Sequence, residues 1–157
     1  MNVEFIAARI TEELRKLVAF DRRCFGPGDA FPTSYWRTLI AHWMIVDGVV
    51  VGCSAFDPQP DDDTSPPATG MLYISSTAIL PKHRRRGYGS LMKSWQIAYA
   101  KHHGFRHIVT HVRIRNKAMI ALNQRYGFKI VKRIPRYYSD PVESAALMHL
   151  QLTPSEH

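Results

Sequence analysis

Charged and apolar positions alternate at helical spacing near the start of the chain. Leu14, Leu17 and Val18 fall on one side of a charged stretch over 11–20, which predicts an amphipathic first helix. Gly26, Pro27 and Gly28 break it. Thr33 or Ser34 suits the cap of a short second helix reaching about Ala41. The period then shortens. Residues 42–46 and 49–56 read as two strands of a hairpin, with Asp47-Gly48 as the two-residue turn. Residues 57–70 collect Pro58, Pro60, three aspartates and Pro66-Pro67, and predict a loop.

Beyond the loop, 71–80 is a strand ended by Pro81, and 87–103 is a helix with Leu91, Trp95, Ala98 and Tyr99 on one face. Gly104 suits its C-terminus. A strand over 105–112 follows, then a helix over 116–126 with Asn116 as cap and Gly127 as stop. Strands over 128–132 and 145–152 complete the chain, joined by a connection over 136–144 that carries two tyrosines and Pro141. Strand, helix, strand, helix, strand in the middle requires a crossover and a parallel strand pair. The expected class is α/β (α+β), with a mixed central sheet of about six or seven strands and about four helices.

Composition adds limits. A chain of 157 residues, 45% hydrophobic and 22% charged, is expected to form one domain with one core. Cys24 and Cys53 have no metal-binding spacing, so neither zinc nor a disulfide framework is expected. A reduced, cytoplasmic setting is the expectation. The first nine residues make a poor signal peptide. No apolar run approaches about eighteen residues, so no membrane association is expected.

The net charge of +8 is unevenly spread. All 13 acidic residues lie before Thr64 or after Ser139, while 15 of the 21 Lys and Arg lie between those positions. A block of this sign attracts anions. A nucleotide, an acidic substrate and RNA are the candidates. No single-strand stacking motif or helix-turn-helix pattern accompanies the charge, which sets nucleic acid below a nucleotide.

Inside the block, residues 84–90 read Arg84-Arg85-Arg86-Gly87-Tyr88-Gly89-Ser90, between a strand and a helix. Amides at a helix N-terminus bind anions, and the two glycines let backbone approach a diphosphate. Arginines in a first helical turn oppose the helix dipole, a conflict that an anionic ligand resolves. The spacing is neither the Rossmann fingerprint nor Walker A.

The pattern Arg84-x-x-Gly87-x-Gly89 resembles the acyl-CoA loop of the GNAT superfamily of N-acetyltransferases. A second signature, Asn116-x-Ala118-x-x-x-Leu122-x-x-x-x-Gly127-Phe128, agrees in order and separation. Within the superfamily the chain is most similar to protein N-terminal alpha-amino acetyltransferases, including the bacterial ribosomal-protein alanine type. Phe31-Pro32, His111-Val112-x-Ile114-x-Asn116 and Arg136-Tyr137-Tyr138 carry that similarity.

The resemblance implies acetyl-CoA as acyl-donor substrate. Its pyrophosphate would lie on Arg84, Arg85, Arg86, Gly87, Tyr88, Gly89 and Ser90, its pantetheine along the backbone of Ala78 and Ile79, with Asn116 bonding the arm. The reaction is attack of an amine on a thioester, so a base must take a proton and the departing thiolate must be stabilised. No carboxylate is available in the central block. His111 stands where related enzymes carry Glu or His, and imidazole ordinarily titrates at roughly 6.5. Tyr73 resembles a tyrosine that partners such a histidine. His107 shares a strand face with His111 by alternation. Many family members protonate the thiolate with a tyrosine at the position of Asn123, which is grouped here with the cofactor-binding residues. Tyr126, three residues on, points roughly 60 degrees away. Phe31, Tyr137 and Tyr138 are expected to line the acceptor site.

The expected activity is acetyl transfer to a primary amine, above all a peptide or protein N-terminal alpha-amine. A small amine or aminoacyl-tRNA as acceptor, and a CoA-binding module without catalysis, are the alternatives. Monomer and homodimer are both left open.

Overall fold

The structure is a computed structural model describing residues 1–60, 63–64 and 69–152. The middle of the loop expected over 57–70, including Asp61, Asp62, Pro66 and Pro67, lies outside the described residues. The elements run β1 (Val3–Ala7), α1 (Ile10–Cys24), α2 (Thr33–Trp36), β2 (Ile40–Val46), β3 (Val49–Asp57), β4 (Met71–Ile79), α3 (Tyr88–His102), β5 (His107–Arg113), α4 (Lys117–Arg125), β6 (Lys129–Tyr138) and β7 (Glu143–Gln151). A 3-10 turn, Pro81–His83, links β4 to the loop before α3. The strands form one sheet in the order β1-β2-β3-β4-β5-β7-β6. The β4–β5 pair is parallel and the others are antiparallel.

Asp47 and Gly48 both take positive φ, 49° and 83°, as the two-residue hairpin turn between β2 and β3 demands. Asn116 caps α4 by accepting the Met119 amide. Gly104 and Gly127 end α3 and α4 at φ 78° and 95°.

Three expectations are corrected, and one strand is added. β1 was not foreseen; its Phe5 stacks on Trp95 with centroids 4.5 Å apart. The second helix stops at Trp36, because Ile40 and Ala41 pair with Phe56 and Ala55. β6 continues past Lys132 to Tyr138, so Tyr137 and Tyr138 are strand residues. Pro135 is tolerated there because β6 is the sheet edge and needs no amide on its open side. On α3, Leu91 and Ala98 are exposed, and the buried face is Met92, Lys93, Gln96 and Ala100, with Trp95 and Tyr99 at its margin.

Helices cover the sheet on both sides. α1 and α2 pack Leu17, Phe20 and Trp36 on Trp43, Cys53, Ala55, Ala78 and Leu80. α3 and α4 cover Phe56, Leu72, Ile74, Ile108, Val112 and Met148. Burying each large side chain is worth about 1.5–3 kcal/mol. Gln96, fully buried, ties α3 to the sheet by donating to Ser54 Oγ at 3.0 Å and Thr77 Oγ1 at 3.1 Å.

A buried carboxylate fixes the segment after α1. Asp21 Oδ2 accepts the Phe31 amide at 2.7 Å and Trp36 Nε1–H at 3.0 Å. Burial raises its pKa, against the pull of those two donors. Asp21→Ala strands both donors and is expected to cost about 2–4 kcal/mol by urea denaturation. Asp21→Asn keeps a carbonyl oxygen for both and removes a desolvated charge, so it is expected to match or exceed the native stability at pH 7. A raised folded pKa means that the folded state holds the proton longer on the way up in pH. The asparagine's advantage therefore shrinks on acidification.

Candidate active site

β4 and β5 pair from Met71↔His107 to Ile74↔Thr110 and then part. Beyond that point β4 pairs outward with β3, from Ser76↔Ala55 to Ile79↔Gly52. β5 pairs outward with β7 through His111↔Leu147 and Arg113↔Ala145. Thr110 Oγ1 donates to the Ile74 carbonyl at 2.9 Å, which occupies the acceptor where the strands diverge. The result is a wedge-shaped gap between two strands whose facing edges carry backbone polar groups.

Two adjoining cavities follow the gap. The outer one is lined by Thr77, Ile79, Arg85, Gly87, Tyr88, Gly89 and Leu122, among others. The inner one is lined by Ser76, Lys93, Thr110, His111, Arg113 and Asn123, among others. Phe25, Thr77, Asn116 and Met119 line both, so the two form a continuous groove.

The outer end is built for an anion. Arg85 and Gly87 take positive φ, 64° and 81°. The amides of Arg85, Arg86, Gly87, Tyr88, Gly89 and Ser90 have no acceptor among the described residues. A run of unpaired amides at a helix N-terminus forms an anion-binding concavity. The Arg84 side chain is occupied otherwise: it donates to the Ile79 carbonyl at 2.9 Å and the Cys24 carbonyl at 3.0 Å, tying α1 to β4. The Leu80 amide bonds the Val51 carbonyl, and alternation from there turns the Ala78 backbone toward β3. Thr77 and Ile79 therefore present their backbone to the gap, where sequence reading grouped Ala78 with Ile79. Asn116 lines both cavities and uses its Oδ1 in the cap, so its amide nitrogen is the side-chain group left to donate.

At the inner end Tyr73 Oη lies 2.6 Å from His111 Nδ1. Tyr73 is buried, and the His111 ring stacks on Tyr137 at 4.4 Å with 7° between planes. Tyr137 meets Tyr138 edge-on at 4.8 Å. His107 is not part of this group; it pairs with His149 at 2.9 Å. Tyr126 is fixed elsewhere, donating to the Ser90 carbonyl at 3.0 Å and accepting from Ser94. Phe31 lines the inner cavity and meets Tyr35 edge-on.

Arg113 holds the rim together. It donates to Asp29 at 2.8 Å and to Glu143 and the carbonyls of Ser139 and Pro141 at 3.0–3.1 Å, with its guanidinium 4.5 Å from the centroid of Tyr138. Burial opposes the Glu143 charge, but the Arg115 amide and Arg113 hold its pKa below the ordinary value. Gly28 fits beside this clamp because any Cβ there would meet the Asp140 carbonyl at 2.3 Å.

Sequence reading missed Arg113, Asp29, Thr77 and Lys93. The first two are distant in sequence and read as surface charges. Lys93 reads as solvent-facing until Met92, Gln96 and Ala100 are seen to share its face.

An open α/β sheet with an anion-binding loop and a polar groove between two parting strands defines a domain for a long, anionic, extended ligand. The chain belongs to the acetyltransferase (GNAT) family, whose profile matches residues 11–128. It is similar to N-alpha-acetyltransferase 50 of Danio rerio, 32% identical over 79 residues, 48% of this chain and 47% of that protein. The match spans less than half the length of the curated relatives. In fold it is similar to the ribosomal-protein-S18-alanine N-acetyltransferase of Escherichia coli, with a TM-score of 0.81, 16% identity and coverage of 99% and 97% of the two chains. The Salmonella typhimurium protein yncA, solved with acetyl-CoA, gives a TM-score of 0.76 at 17% identity over 100% and 98%. Among the described residues no helix is long and apolar enough to cross a membrane.

Lys93 is the most perturbed cation of the site. Burial alone pushes its pKa down to about 7. The charged and titratable groups lining its cavity are Asp29, His111, Arg113 and Tyr138, and Asp29 is bonded to Arg113. Below pH 7 both folded and unfolded states carry the charge, and the folded state bears the full desolvation cost. Between about 7 and the unfolded value near 10.4 the unfolded chain binds the extra proton, so this cost falls as pH rises. Lys93→Met is therefore expected to raise the melting temperature, more at pH 6 than at pH 9.5; an equal gain at both would refute the buried charge.

Proposed function

We propose that the protein is an acetyl-CoA-dependent N-acetyltransferase whose acceptor is a primary amine, foremost a peptide or protein N-terminal alpha-amine. The Tyr73–His111 pair, at the inner end of a groove that begins on unpaired amides, carries this reading. Family membership supplies the reaction class, and the relatives named above, one an N-alpha-acetyltransferase and one acting on a ribosomal-protein alanine, support the acceptor class.

In this reading the amides of residues 85–90 bind the pyrophosphate. The Thr77 backbone and the Ile79 amide pair with the pantetheine arm, the Ile79 carbonyl being bonded to Arg84, and the Asn116 amide nitrogen donates to the arm. The unpaired, fully buried Asn123 Oδ1 faces the arm's inner end. Acetyl-CoA supplies an activated acyl carbon. His111 takes the proton of the attacking amine, directly or through one water. Tyr73 fixes the imidazole's orientation through Nδ1. Tyr137 backs the ring, and Tyr138 and Phe31 form opposite walls of the acceptor end.

Acetylation of a library of peptide N-termini, read by mass, tests the reading; no transfer to any of them would remove the alpha-amine acceptor. His111→Ala is expected to lower kcat by about 100-fold or more with acetyl-CoA affinity within about threefold. Tyr73→Phe is expected to lower kcat less, by about 3–10-fold, because it leaves the base in place. Turnover unchanged in His111→Ala would take His111 out of the mechanism.

A further inference from the structure

The leaving group of this reaction is a thiolate, and the residue at the position of the usual tyrosine acid is Asn123, whose carboxamide does not titrate. Lys93 lines the same inner cavity. Its residue exposure is 1%, and it makes no hydrogen bond or ion pair among the described residues. Its nitrogen sits 5.3 Å from the centroid of the Phe128 ring, a contact that favours the cation. An ammonium on an apolar helix face without a counter-ion is costly. A polar ligand atom in the cavity would offset that cost.

The two sides of the sheet place the groups on opposite sides of the gap. Val112 faces α3 and α4, so its neighbour His111 faces the other side. Lys93 approaches from α3. A thioester lying in the gap would have the base on one side and the ammonium on the other.

We propose that Lys93 is the proton donor to the departing thiolate. This inference rests on the acyl-transfer reading above. The amine nitrogen bonds to the carbonyl carbon, the carbon–sulfur bond breaks with its electron pair on sulfur, and sulfur takes a proton from Lys93 Nζ. The proton lost by the amine passes through His111 to solvent, and solvent returns one to Lys93. The sum is amine plus thioester giving amide plus thiol. A pKa of about 7 lets Lys93 donate and recover near neutrality.

The test uses free CoA, with the thiol's ionisation followed by ultraviolet absorbance of the thiolate. An ammonium beside sulfur favours the anion and the thiolate in turn holds Lys93 charged, so the pair shares one proton near neutrality and bound CoA is expected to ionise about one pH unit or more below free CoA. In Lys93→Met the bound thiol is expected to titrate at or above the free value, with CoA and desulfo-CoA binding within about threefold of wild type. Its kcat is expected to fall about 10-fold or more, and the apolar replacement is expected to fold at least as stably. Identical thiol titration in wild type and Lys93→Met, with CoA bound to both, overturns the role of Lys93 and leaves the acetyltransferase reading standing. Acetylation of Lys93 itself by acetyl-CoA also overturns it, because the amine would then be an acceptor. Failure of CoA and acetyl-CoA to bind wild type overturns the reading of the groove, and this inference with it.

Discussion

The pairing of β4 with β5 ends at Ile74 and Thr110, and the rest of the site is arranged around that break. A sheet that stayed paired would bury its backbone groups and leave no room between strands. Here each strand keeps its outer partner, β3 or β7, so the gap opens without unfolding either edge. The Thr110 hydroxyl satisfies the last carbonyl of the ladder. Buried backbone groups demand partners; on the inner edge Arg84 supplies one to the Ile79 carbonyl, and the Thr77 backbone and the Ile79 amide are the groups that the proposed ligand would complete.

Holding the gap open needs a rigid rim. Asp21 anchors the segment that delivers Phe31, and Arg113 joins the loop after α1 to the turn between β6 and β7. Gly28 lets those two segments touch. The two charges do different work. Asp21 is a buried acceptor whose charge is a burden, whereas Arg113 is a planar fork whose donors reach four partners. On the α3 side Gln96 binds both β3 and β4, which keeps Lys93 aimed at the cavity.

Much of this was legible in the sequence because it rests on local signals. Gly87 and Gly89 before a helical period, Asn116 as a cap and Asp47-Gly48 as a turn each depend on a few neighbouring residues, and each stands where expected. The Tyr73–His111 contact joins residues 38 apart in sequence; the family resemblance, rather than spacing, brought them together. What escaped depends on tertiary context. Pro135 is compatible with a strand only on an edge, so a strand that runs through it to Tyr137 and Tyr138 has no local signal. Trp95 and Tyr99 dominate the apolar direction of α3, yet their size leaves them at the margin while Met92 and Lys93 sit beneath. The Arg84 side chain tethers α1 to β4, a contact between segments about 60 residues apart that the loop's own sequence does not show. The break between β4 and β5 itself has no sequence signal, because both strands continue as strands beyond it.

The central claim is that a ligand occupies this break, running from the loop amides to the inner cavity. Amide chemical shifts during titration with acetyl-CoA test it most directly. The largest changes are expected at residues 85–90 and at Thr77, Ile79 and Asn116, with smaller ones at His111 and Arg113. Shifts confined to other surfaces, with those amides unmoved at saturation, would contradict the account.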